Sequence, residues 1–71
     1  MSRPMKHSLT LGGHRTSVTL EDEFWQAFRE IAQQQGQGIN ALAAEIDAAR
    51  GTSTGLATAI RLYVLAQYRG R

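Results

Sequence analysis

Seventy-one residues make at most one domain with a small core, and with no cysteine in the chain neither a disulfide nor a thiolate metal site braces it. The formal net charge of +2 permits nucleic-acid binding without requiring it. No apolar run approaches the roughly 20 residues of a membrane span, and no apolar stretch succeeds the early positive charges as in a secretory signal, so a cytoplasmic protein without a membrane partner is expected.

Charge is unevenly placed. The first acidic residue is Glu21, and before it lie Arg3, Lys6, Arg15 and two histidines. Residues 1–14 read as a flexible basic arm, polar and proline-broken at its start, with a short strand possible at 8–11 where Ser8-Leu9-Thr10-Leu11 alternates. Gly12-Gly13 either closes a hairpin or hinges the arm to the next segment, and the hinge is preferred. From Arg15 to Leu20 the alternation resumes, with Thr16, Val18 and Leu20 on one face and Arg15, Ser17 and Thr19 on the other. This predicts a strand over 15–20.

Three helices are predicted next. Helix 21–35 opens on Glu21, Asp22 and Glu23, where the helix dipole favours anions; Thr19 and Asp22 have the spacing of a capping box. Phe24, Phe28, Ile31 and Ala32 form its apolar stripe, with Trp25 and Ala27 at the edges, and Gly36 stops it. Helix 39–50 carries Ile39, Leu42, Ala43, Ile46 and Ala49 on one face. Thr52 or Ser53 is the expected cap of a C-terminal helix at 54–69 that packs on the core. That helix is apolar over much of its girth, with Leu62 and Leu65 widening the Leu56, Ile60, Val64 face, and so expects two neighbours or a partner chain. Arg50, Arg61, Arg69 and Arg71 read as dipole complements and solubilising charges.

The fold class expected is thus mainly α with one short β-strand. A lone strand leaves the ladder groups of both edges unpaired, so antiparallel pairing with the same strand of a second molecule is expected, giving a homodimer. Its core would be Val18, Leu20, Phe24, Phe28, Ile31, Leu42 and Ile46. His7 and His14 have no cysteine or carboxylate cluster near them in sequence, so no metal or other cofactor is expected. Glu30, Glu45 and Asp47 form no catalytic pair, and no nucleophile-elbow, phosphate-loop or metalloprotease pattern occurs, so an enzyme is not expected.

The strand RTSVTL, the acidic helix start EDEFW, the glycine-containing turn QGQG and the opening INALAAEI together resemble the ribbon-helix-helix family of DNA-binding proteins, of Arc, MetJ and CopG type, over about residues 15–50. The chain is similar to a branch of small proteins with an extra C-terminal helix like LATAIRLYVLAQYR. The resemblance implies an intertwined homodimer with a two-stranded antiparallel ribbon, inserted into the major groove of double-stranded DNA, and a transcriptional repressor. It implies that Arg15, Ser17 and Thr19 contact bases. Arg15 suits guanine O6 and N7, and the hydroxyls donate or accept. It also implies phosphate contacts at the start of the second helix, through Gly38, Ile39 and Asn40; Arg3 and Lys6 on the arm are further phosphate candidates. Gly38 departs from the common Ser or Thr cap, which removes a side-chain contact but permits close backbone approach. The C-terminal helix is left either to join dimers into tetramers on DNA or to hold a protein partner, as in an antitoxin-like or regulatory adaptor module.

Overall fold

The computed structural model describes residues 3–70 and orders them as two strands followed by three helices: β1 Pro4–Leu11, β2 His14–Glu21, α1 Asp22–Gln34, α2 Ile39–Ala49 and α3 Leu56–Arg69. Residues 1 and 2 of the expected arm, and Arg71, lie outside the described residues.

The expectation of one short strand is corrected. The ribbon is an antiparallel hairpin within one chain, with eight cross-strand pairs running from Leu11–His14 at the turn to Pro4–Glu21 at the far end. The cause lies in Gly12 and Gly13, which take φ of 56° and 84°. A two-residue turn with both central residues left-handed matches the natural twist of the strands it joins, and glycine enters that region without a Cβ penalty. Gly-Gly is therefore a turn here and not a hinge. Residues 4–14 are not an arm, and the unpaired strand that called for a second molecule does not exist. Pro4 is tolerated because it is the first residue of an edge strand.

Each strand has an inner and an outer face. Leu9, Val18 and Leu20 are buried on the inner face, and His7, opposite Val18, stacks on Trp25 with ring centroids 4.0 Å apart and planes 8° from parallel. A two-stranded ribbon is marginal by itself; the helices beneath supply the apolar surface it needs. Trp25, Phe28, Ile31 and Ala32 of α1, Leu42, Ala43 and Ile46 of α2, and Ile60 and Val64 of α3 complete one core cluster. Six of the seven residues expected in a dimer core are thus buried inside a single chain, and the seventh, Phe24, is half-buried.

Helix ends differ from expectation in instructive ways. β2 runs on to Glu21, which is itself the N-cap of α1 with φ −61° and ψ 146° and makes no side-chain cap bond. Thr19 lies inside the strand, so the capping-box spacing with Asp22 is not used as one. Gly36, at φ 70°, ends α1: Gly36 N donates to Gln33 O and Gln37 N to Ala32 O, the paired bonds of a Schellman stop. Gly38 caps α2, and Gly55, not Thr52 or Ser53, caps α3. Arg50 orders the connection before α3, bonding Asp47 at 2.7 Å and donating to Gly51 O and Thr54 O. Leu62 and Leu65, expected to widen the packed face of α3, are 57% and 49% exposed.

The His7–Trp25 stack gives a modest test. His7→Ala removes an aromatic pair worth about 0.5–1.5 kcal/mol beyond area burial. The expected result is a melting temperature lowered by several degrees; His7→Phe, which keeps a ring on Trp25, restores most of the loss. An unchanged melt for His7→Ala would mean that the stack adds nothing.

Candidate nucleic-acid interface

Alternation along both strands leaves Lys6, Ser8 and Thr10 of β1 and Arg15, Ser17 and Thr19 of β2 on the solvent face, all six exposed. The register sets them in three opposed pairs: Lys6 with Thr19, Ser8 with Ser17, and Thr10 with Arg15. The face is therefore made of two cations and four hydroxyls. Arg15, Ser17 and Thr19 sit together as the sequence predicts. Ser8 and Thr10 join them, which the sequence does not predict. A signal for them exists in the alternation of residues 8–11 ahead of Gly-Gly, but a hinge at Gly12-Gly13 would detach that strand from the surface.

Glu21 is the only acid in the hairpin, at its far end opposite Pro4. Arg61 engages it: Nε donates to Glu21 Oε1 at 2.9 Å and Nη2 to Oε2 at 3.2 Å, while Nη2 also reaches Thr19 O at 3.3 Å. Arg61, expected as a free surface charge, instead ties α3 to the end of β2 and offsets the one negative charge of the ribbon. It also lies 6.0 Å from the Phe24 ring centroid. The hydrogen bond from Arg61 holds the Glu21 carboxyl below the ordinary carboxylate range. A depressed folded-state pKa gives a stability contribution present above the ordinary, unfolded-state pKa and lost as pH falls through the folded one. Part of the acid-side loss of stability is thus expected to vanish in Arg61→Gln, read as the difference between acid titrations of the two proteins followed by circular dichroism. Parallel titrations would remove Glu21 from the acid transition.

The start of α2 lies beside β1. Asn40 Oδ1 accepts from Thr10 N at 2.9 Å, which fastens the helix N-terminus to the edge of the ribbon. Gly38 and Asn40 are exposed and Ile39 is half-buried against the core. Gly38 has extended backbone (φ −74°, ψ 157°), and no atom lies within 4 Å of where a Cβ would stand. Serine fits there unstrained. The bond to Thr10 occupies the Asn40 carbonyl oxygen and leaves its amide hydrogens as donors. Arg3, just ahead of β1, is exposed.

His14 is exposed at the base of the turn, opposite Leu11. Among the described residues no group of three His, Cys, Asp or Glu side chains is arranged to hold a metal ion, and no helix is long and apolar enough to cross a membrane. An apolar cleft of about 420 Å³ lies between α2 and α3, with Ile46, Ala49, Leu62 and Tyr63 in its wall.

A ribbon followed directly by two helices, with a third helix closing the core, is matched over residues 4–68 by the family model described as a ribbon-helix-helix domain. The chain belongs to the ribbon-helix-helix family. Domains of this family generally bind DNA, typically as dimers, and regulate transcription; they are typically not enzymes. Neither the curated proteins nor the solved structures contain a match to this chain. Within this ribbon-helix-helix domain the ribbon is a hairpin of two consecutive strands, one more than the sequence predicts.

Proposed function

We propose that this ribbon-helix-helix protein is a sequence-specific double-stranded DNA-binding protein without enzymatic activity, acting in the cytoplasm as a transcriptional repressor, with its ribbon in the major groove. The observation that carries this is the outer face of the ribbon: exposed, built from cations and hydroxyls, with its single acid held by Arg61. Arg15, Ser17 and Thr19 contact bases. Arg15 makes two bonds to one guanine, and a Thr19 methyl suits a thymine methyl. Gly38, Ile39 and Asn40 meet a phosphate through the backbone and the helix dipole at the start of α2, and Arg3 and Lys6 add charge along the sugar–phosphate backbone. The test is fluorescence anisotropy of a random duplex at rising salt. Binding that weakens steeply as salt rises supports phosphate contact, because each neutralised phosphate releases counterions. No binding at low salt ends the reading.

The active species is a homodimer in this proposal, with tetramers forming on DNA. Because one chain closes its own ribbon and core, the dimer contact is assigned to the exposed Leu62 and Leu65 of α3. Leu62→Glu with Leu65→Glu should convert a dimer at micromolar concentration to a monomer in sedimentation velocity while the melting temperature stays within a few degrees. A monomeric parent protein removes the dimer from the proposal. The same two leucines favour a second reading, a protein-interaction module in which α3 holds another protein; a monomer that fails to bind duplex DNA brings that reading forward.

A further inference from the structure

We propose that the cleft between α2 and α3 receives α3 of a second copy of this chain, laid antiparallel, with Arg69 of that copy reaching Glu45. This rests on the reading above that copies meet through Leu62 and Leu65. It deepens that reading by naming the receiving surface, the orientation and the ionic contact.

The cleft, about 420 Å³, has an apolar floor in the buried Leu42 and Ile46, and small side chains in its walls at Ala49 and Ala59. Leu62, 57% exposed, stands on its rim. Covering such a surface removes apolar area from water, and alanines at a helix contact let a neighbouring helix come close.

Charge selects the occupant. Two charged side chains border the cleft. Arg50 is engaged, by Asp47 at 2.7 Å and by the carbonyls of Gly51 and Thr54. Glu45 is exposed and makes no ion pair among the described residues. The cleft therefore suits an apolar surface that carries a cation. The exposed face of α3 has that composition. Leu62 and Leu65 lie open to solvent with Arg69 a turn beyond them, and no acid follows Asp47 in the sequence. Arg69 also has no ion pair among the described residues. A second copy thus supplies both what the cleft lacks and what Arg69 lacks.

Spacing sets the orientation. Arg69 stands seven residues beyond Leu62, and Gly55, the N-cap of α3, seven before it. Each separation is about 10 Å along a helix axis. Antiparallel helices crossing near Leu62 carry the partner's Arg69 over the first turns of α3, where Thr54 and Ala59 join Glu45 in lining the cleft. Parallel helices would set Arg69 against Arg69 and leave Glu45 alone. A two-fold axis makes the contact twice, each copy giving its Arg69 and receiving at its Glu45. The helices pack on the inner face of the ribbon, so this contact leaves the outer face open to DNA.

Charge reversal tests the arrangement. Both side chains are exposed, so reversal keeps the fold, which circular dichroism checks. Sedimentation velocity over a dilution series reads the dimer. Glu45→Arg sets like charges together at both contacts, and so does Arg69→Glu; each variant alone should weaken the dimer on the order of tenfold. Mixed in equal amounts, the two variants form a heterodimer with both opposite-charge pairs restored, and should assemble as the parent does. If each single variant assembles like the parent, or the mixture stays as weak as its components, the partner's α3 does not lie along the cleft and the inference falls. Loss of the dimer in Leu62→Glu with Leu65→Glu would then keep the α3 contact itself in place. A parent protein that stays monomeric at micromolar concentration ends both and leaves the cleft to a different protein.

Discussion

Phe28→Ala is expected to remove about 3–5 kcal/mol of stability, the usual cost of truncating a buried phenylalanine. Phe28 has no exposed surface, lies at the centre of the core cluster, and packs against Trp25 with ring centroids 5.7 Å apart. Natural domains hold roughly 0.05–0.15 kcal/mol per residue, so a chain this short has only about 4–11 kcal/mol in total. A thermal melt by circular dichroism should show either a transition lowered by tens of degrees or no cooperative transition. Phe24→Ala is the informative control. Phe24 is half-buried in one chain, so its loss should cost clearly less. Equal costs at the two positions would mean that a second molecule covers Phe24. A Phe28→Ala melt close to the parent's would contradict the packing of α1 altogether.

That comparison also separates what is legible in the sequence from what is not. The three helices are legible because their apolar residues recur at helical spacing and glycines punctuate them. Leu42 and Ile46 on α2, and Ile60 and Val64 on α3, are buried where the pattern puts them. The face of α1 is legible only approximately. Trp25 is buried and Phe24 half-buried, the reverse of the expected centre and edge, because His7 stacks on Trp25 from the hairpin. His7 is the obstacle in the first strand as well. A histidine between Lys6 and Ser8 makes residues 4–8 look like a polar arm, and its inward role exists only once Trp25 lies beneath it. Gly12-Gly13 is ambiguous for a different reason: a flexible pair serves a hinge and a left-handed turn equally, and only the pairing of eight residues on each side decides between them. The Arg61–Glu21 bridge joins residues 40 apart in the chain, beyond any local pattern. On the interface, alternation alone groups Arg15, Ser17 and Thr19. Ser8 and Thr10 join them only through the hairpin.

Arg15→Ala is expected to be the most damaging single change to DNA recognition while leaving the fold intact. Arg15 is exposed, stands opposite Thr10 across the hairpin, and is the cation at the turn end of the reading face. If it makes two bonds to a guanine, alanine removes roughly 1–3 kcal/mol of discrimination against the wrong base and leaves random-duplex binding weakened only by one charge. If it meets only phosphate, affinity for all sequences falls together and the salt dependence flattens by about one counterion. Lys6→Ala and Arg3→Ala should show the second pattern, since contacts to the backbone position a protein without carrying sequence information. Deleting residues 1–7 would not test this, because it would remove the first half of β1 and the His7–Trp25 stack with it. Anisotropy on an enriched and a random duplex at two salt concentrations distinguishes the outcomes for each substitution. An Arg15→Ala protein that melts like the parent and matches it in affinity, preference and salt dependence would take the ribbon out of the groove. The exposed leucines of α3 would then be the surface through which this chain acts.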